Sequence, residues 1–217
     1  MTDGFDALLT GPRIVPVITL TSASVAAPLA EALAEGGIRC VEVALRTPAA
    51  EDALRVMAQH GGLTVGAGTV LDPVQTERAV EAGARFVVSP GLDEGVVERC
   101  QALSVPPVPG IATATELMRA LKLSLNTVKL FLAEQIGGLG LLGAFAAPFP
   151  KLRFMPTGGI GLRQLPAYLA HRSVVAVGGS WLAPAGLLER GDFDGIRRRA
   201  AEAVEACRRV DDDLAAH

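Results

Sequence analysis

The chain reads as a single (β/α)₈ TIM barrel of the α/β class. Three observations predict it. Eight short runs rich in Val, Ile and Leu alternate with longer Ala-rich amphipathic segments. The starts of those runs fall about 20 to 26 residues apart, which leaves room for one strand, one helix and two short loops. The first run, IVPVI, is followed by TLTS without a glycine, so the dinucleotide-binding GxGxxG is absent. An even count of eight units then favours a closed barrel over an open doubly wound sheet.

Taken in order, the strands begin near Ile14 (IVPVI), Ile38 (IRCVEVAL), Leu63 (LTVGAG), Arg85 (RFVVS), Pro106 (PPVPG), Asn126 (NTVKLF), Leu152 (LRFMPTG) and Ser173 (SVVAVGG). The segment from Ser22 to Glu35 reads as a helix with a hydroxyl cap and a Gly36-Gly37 stop. Pro73 to Ala82 follows Asp72, with proline at the first helical position and Gly83 past the end. Thr113 and Glu116 stand at capping-box spacing before a helix that runs to Leu121. A C-terminal amphipathic helix spans Arg197 to Arg209. Residues 1–12 read as an N-terminal cap segment and residues 211–217 as a frayed tail. No linker or composition shift marks a second domain, so residues 1–217 read as one.

Composition narrows the function classes. The chain has 217 residues, 50% hydrophobic and 20% charged, with a net charge of −3. That is a globular composition with no positive field for nucleic acid or an anionic membrane. Cys40, Cys100 and Cys207 form neither a CxxC pair nor a ligand pattern, and His60, His171 and His217 have no ligand-like spacing. No metal site, disulfide framework or cofactor is expected. The N-terminus carries Asp3 and Asp6 and no long apolar run, and every apolar stretch is interrupted before spanning length. The expected location is the cytoplasm.

Barrel chemistry sits at the C-terminal ends of the strands. Two charged residues there are anomalous: Glu42 in CVEVAL and Lys129 in TVKLFL. A charge inside an apolar strand is costly unless paired or used. Strand alternation puts Cys40, Glu42, Ala44 and Arg46 on one face, and Thr127, Lys129 and Phe131 on one face of the sixth strand. The opposite faces are wholly aliphatic and should pack on helices. Glu42, Arg46 and Lys129 are therefore expected to converge inside the barrel. Lys122, Lys129 and Lys151 are the chain's lysines; the rest of its 20 basic residues are arginine. Lysine, unlike arginine, can act as a desolvated amine nucleophile. A purely structural Lys129–Glu42 ion pair is the alternative, and Arg46 can be read as a surface residue at a loop start.

After the seventh and eighth strands come Thr157-Gly158-Gly159 and Gly178-Gly179-Ser180. Barrels often bind phosphate through backbone amides at that position. Tight turns alone would also account for the glycines. Trp181 reads as packing.

With these residues in place, the chain resembles the family of 2-keto-3-deoxy-6-phosphogluconate (KDPG) and 4-hydroxy-2-oxoglutarate (KHG) aldolases. The likeness runs from about Arg13 to Ala206 through RIVPVI, GGIRCVEVALRT, VGAGTVL, AGARFVVSPGL, PPVPGIATATE, VKLFLAE, RFMPTGGI and VGGSWL. The resemblance implies a metal-free class I aldolase, a carbon–carbon lyase of the Entner–Doudoroff pathway that is usually a homotrimer and takes a small phosphorylated keto acid. The Schiff-base lysine falls on Lys129 and the proton-shuttling carboxylate on Glu42. Arg46, Thr69 and Pro90 match the pyruvate end, with Phe131 lining the pocket. Gly158, Gly159, Gly179 and Ser180 match the phosphate end, with Thr157 beside them. One departure stands out. The family commonly carries Phe-Phe-Pro-Ala-Glu after the lysine, and Leu130-Phe131-Leu132-Ala133-Glu134 stands here. Leu132 restores a backbone N–H and frees φ, which bears on substrate range more than on the amine. Activity on 4-hydroxy-2-oxoglutarate or on 2-dehydro-3-deoxy-6-phosphogalactonate is the nearest alternative. A phosphosugar isomerase or epimerase on the same barrel is the alternative of another class, and a barrel kept for ligand binding without turnover is a third.

Overall fold

The computed structural model of the chain describes residues 4–216; residues 1–3 of the expected N-terminal segment and His217 of the expected tail lie outside the described residues. Eight strands run parallel: β1 (Ile14–Ile18), β2 (Cys40–Ala44), β3 (Thr64–Gly68), β4 (Val87–Ser89), β5 (Pro107–Ile111), β6 (Thr127–Leu130), β7 (Arg153–Phe154) and β8 (Val177–Gly179). Each pairs with its neighbour in chain order, and β1 also pairs with β8. The ring closes between β7 and β8 through the bridges Phe154–Val174 and Thr157–Gly178. The fold is thus a parallel eight-stranded barrel, as the strand rhythm predicts.

The helices on the outside are α2 (Ala26–Glu35), α3 (Ala50–Ala58), α4 (Pro73–Glu81), α5 (Glu94–Ala102), α6 (Ala114–Lys122), α7 (Gly138–Ala146), α8 (Leu165–Leu169), α9 (Ala185–Glu189) and α10 (Phe193–Ala215), preceded by α1 (Phe5–Leu8). The sequence starts them as expected. The Asp72 carboxylate accepts from the Gln75 N–H with Pro73 at the first turn, and Thr113 and Glu116 form a reciprocal capping box. The predicted helix from Ser22 divides into a 3₁₀ turn over Ala23–Val25 and then α2.

Strand alternation creates two cores. The outward faces supply Val41, Val43, Val128 and Leu130, which pack with Leu29, Leu33, Leu54 and Leu117 of the helices. The inward faces supply Val15, Cys40, Phe86, Val88, Val108 and Met155, which fill the lower barrel. Phe5 of α1 plugs that interior from below and meets Phe86 edge-on at 5.0 Å. Asp6 secures the plug by accepting a 3.0 Å hydrogen bond from the Thr127 hydroxyl at the start of β6.

Two expectations change. β7 is only Arg153–Phe154, because Pro156 cannot donate to the ladder. Pairing resumes past it, with the Thr157 N–H donating to the Leu130 carbonyl at 2.9 Å. The segment from 211, read as a frayed tail, is helical to Ala215. Its three aspartates look like a solvated end, yet Val210 is buried and Asp211 accepts from Arg13 Nε at 3.0 Å. Arg13 also donates to the Leu169 and Val174 carbonyls, so α10 is tied to the barrel wall at β1.

Because Phe5 is the lower stopper of the inner core, Phe5→Ala opens a cavity there. It is expected to lower the unfolding free energy by roughly 3 kcal/mol, read from the urea midpoint at unchanged m-value.

Candidate active site

Above the apolar floor, each inward strand position faces the barrel mouth. β2 places Glu42 there and β6 places Lys129 there, from non-adjacent strands. Lys129 Nζ donates to both Glu42 carboxylate oxygens, at 3.1 and 3.2 Å. The two side chains are 5% and 1% exposed, so this is a desolvated pair and not a surface contact. The Phe131 ring, next on the same face of β6, has its centroid 5.3 Å from Nζ.

Space for the carboxylate comes from β3. Gly68 lies so close that a Cβ there would sit 2.2 Å from Glu42 Oε1. Below the pair, burial chiefly and the Glu42 charge secondarily raise the Cys40 thiol well above its ordinary range. Cys40 is therefore neutral floor and not a second nucleophile. Cys100 and Cys207 are also buried free thiols, each pushed up to about 12, mainly by burial.

Arg46 departs from its expected place. β2 ends at Ala44, and the Arg46 N–H turns back to the Ala44 carbonyl at 2.8 Å, so strand alternation no longer governs it. Its side chain is exposed at the rim, where Nε donates to the Thr69 hydroxyl at 2.9 Å. Thr69 holds φ +58°, a left-handed conformation that a β-branched residue rarely adopts. Pro90 stands at the end of β4, and its carbonyl occupies the space a Cβ on Gly110 would need; Gly110 is the register partner of Lys129.

On the opposite wall Thr157 is buried against Gly178, where a Cβ would come within 2.1 Å of the Thr157 hydroxyl. Gly158 and Gly159 follow with φ of +111° and +76°, a turn that side chains would strain. Gly179 lies under the Trp181 indole, and Ser180 is exposed beside it. The bridge between Thr157 and Gly178 brings the two glycine pairs to one edge of the mouth. Trp181 packs on Gly179, in keeping with its reading as a packing residue, whereas the place of Gly68 beside Glu42 does not follow from the residues, a glycine one strand over from an in-strand acid being the available signal.

A surface concavity away from the Lys129–Glu42 pair is lined by Glu31, Arg39, His60 and Thr64 among others. Among the described residues no group of His, Cys, Asp and Glu gathers as metal ligands, and no helix is long and apolar enough to cross a membrane.

Comparison with known proteins gives a concordant picture. The KDPG and KHG aldolase family matches residues 5–199. The KHG/KDPG aldolase of Escherichia coli K12 is 47% identical over 202 residues, covering 93% of this chain and 94% of that protein. The structure of the KDPG aldolase of Zymomonas mobilis ZM4 with 3-phosphoglycerate superimposes with a TM-score of 0.89 at 40% identity, over 94% of this chain and 96% of that one. The structure of the Legionella pneumophila KDPG aldolase, with pyruvate captured at low pH as a covalent carbinolamine intermediate, has a TM-score of 0.88 at 37% identity, over 91% and 97% of the two chains. With Lys129 and Glu42 paired inside the barrel and likeness extending over nine-tenths of its length, the chain belongs to the KDPG and KHG aldolase family.

Proposed function

We propose that the protein cleaves 2-dehydro-3-deoxy-6-phosphogluconate to pyruvate and glyceraldehyde 3-phosphate through a Schiff base on Lys129. The observation that carries this reading is the buried contact in which one amine meets both oxygens of one carboxylate. Proton transfer along it leaves a neutral amine and a carboxylic acid, the two partners that imine formation needs.

The amine attacks the C2 ketone while Glu42 protonates the new oxygen. Glu42 recovers the surplus nitrogen proton from the adduct. The carbinolamine hydroxyl then leaves as water, again protonated by Glu42, and an iminium remains. Glu42, now a carboxylate, takes the C4 hydroxyl proton as the C3–C4 bond breaks. The bonding electrons pass into the iminium, giving an enamine and releasing glyceraldehyde 3-phosphate. Protonation at C3 and addition of water return pyruvate and the free amine. The carbinolamine captured in the Legionella relative supports this sequence of steps.

Arg46 and Thr69 at the rim are suited to the substrate carboxylate, through a guanidinium and an aimed hydroxyl. Pro90 and Phe131 are the residues that the family resemblance assigns to the pocket between these ends. Gly158, Gly159, Gly179 and Ser180, with Thr157 beside them, are suited to the phosphate through backbone amides and a hydroxyl. The Zymomonas relative's structure with 3-phosphoglycerate supports a phosphorylated acid as the class of ligand. Holding the phosphate contributes remote binding energy that aligns the C3–C4 bond. The E. coli relative's name favours a second substrate, 4-hydroxy-2-oxoglutarate, turned over at the same pair without the phosphate contacts. We read the enzyme as a cytoplasmic homotrimer of the Entner–Doudoroff pathway, as the family resemblance implies.

A lactate-dehydrogenase-coupled assay tests the reading. Pyruvate release is expected to be fastest from the phosphogluconate substrate, slower from 4-hydroxy-2-oxoglutarate and from the phosphogalactonate epimer. Lys129→Ala should lower kcat by at least about a thousandfold, and Glu42→Gln by roughly a hundred- to ten-thousandfold. Full activity in Lys129→Ala would overturn it. Gly68→Ala should displace the Glu42 carboxylate and lower kcat about a hundredfold, with circular dichroism showing the fold retained.

A further inference from the structure

Loop six, which follows β6, is fastened to the Gly158-Gly159 turn by backbone hydrogen bonds and packs on it through a side chain that the reaction itself does not use. The Ala133 and Glu134 N–H groups donate to the Thr157 and Gly158 carbonyls, at 2.9 and 3.1 Å. The Glu134 side chain then covers the turn: a Cβ on Gly159 would lie 2.7 Å from Glu134 Cβ. Its carboxylate is held from the far side by Tyr168 of α8, whose hydroxyl donates to Glu134 Oε1. Gly138, at φ +56°, opens room for that bond, since a Cβ there would lie 3.1 Å from Oε1 and 3.2 Å from the tyrosine oxygen. Tyr168 is 1% exposed, whereas Glu134 is exposed on the rim. A buried phenol therefore fixes the carboxylate of a side chain whose Cβ and Cγ lie against the glycine turn. Burial foremost, then the Glu134 carboxylate, raise the Tyr168 phenol, so it stays a hydrogen-bond donor at working pH.

We propose that Tyr168 and Glu134 are positioning residues for the phosphate end of the substrate: the hydrogen bond between them holds Gly158 and Gly159 in anion-binding shape and keeps the carboxylate turned away from the bound phosphate. The proposal rests on the phosphate reading of that turn. The side-chain contacts of the clamp lie on Gly138 and Gly159, while Lys129 meets Glu42 and Phe131. Loss of the clamp should thus weaken phosphate recognition and spare the imine chemistry.

Steady-state kinetics on two substrates tests this. Tyr168→Phe should raise KM for the phosphogluconate substrate about three- to tenfold, with kcat within about twofold and both constants for unphosphorylated 4-hydroxy-2-oxoglutarate unchanged. Glu134→Ala, on an exposed residue that folding tolerates, should reproduce the shift, whereas Glu134→Gln, which keeps an acceptor for the phenol, should behave as the parent enzyme. Equal losses on both substrates, no loss on either, or a Gln variant that matches Ala would overturn the clamp. A parent enzyme whose KM is the same with and without the phosphate overturns the phosphate reading and the clamp together, before any variant is made.

Discussion

The contact between Lys129 and Glu42 constrains the rest of the molecule. Two opposite charges that are almost wholly removed from water must be matched to each other, because stranding either one costs about 3–5 kcal/mol. They come from β2 and β6, which are not paired in the sheet, so it is the curl of the sheet into a barrel that brings them to 3.1 Å. The closure between β7 and β8, a run of bridges and not a full ladder, matters for the same reason. Gly68 gives the carboxylate its place, and the Cys40, Val88 and Phe86 layer keeps water from reaching the pair from below. Phe5 completes that layer from outside the barrel.

On the function proposed above, the same contact explains how the site divides its labour. Covalent chemistry needs a dry amine with a carboxylate in reach, and the barrel interior supplies both. Recognition of the two charged ends of a keto acid phosphate needs water-facing groups that exchange easily. Arg46 with Thr69, and the glycine turn with Ser180, stand at the rim on either side. The left-handed Thr69 and the positive-φ Gly158 and Gly159 shape the mouth, whereas Ser104 and Ser124, also left-handed, only close the turns that follow α5 and α6. The floor, by contrast, is ordinary close-packed core.

Much of this was legible in the residues. The strand count, the parallel order and the inward aim of Glu42 and Lys129 follow from a period of two inside an aliphatic background. The capping of α4 and α6 follows from Asp72 and from Thr113 with Glu116. Arg46 takes the second of its two readings, a surface residue at a loop start, because strand parity stops at Ala44, where the backbone turns back on itself. The helical end of α10 was hidden because Asp211 is held by Arg13, a partner 198 residues away that no local pattern reveals. Tyr168 and Glu134 escaped notice for the same reason: each is ordinary in its own segment, and only the fold makes them neighbours.

The decisive measurement is mass spectrometry of the protein after incubation with pyruvate and borohydride. Reduction of an imine would add the mass of a reduced pyruvate adduct to the peptide that carries Lys129, and to no peptide carrying Lys122 or Lys151. An unmodified Lys129 peptide, from protein that still releases pyruvate from substrate, would contradict the account.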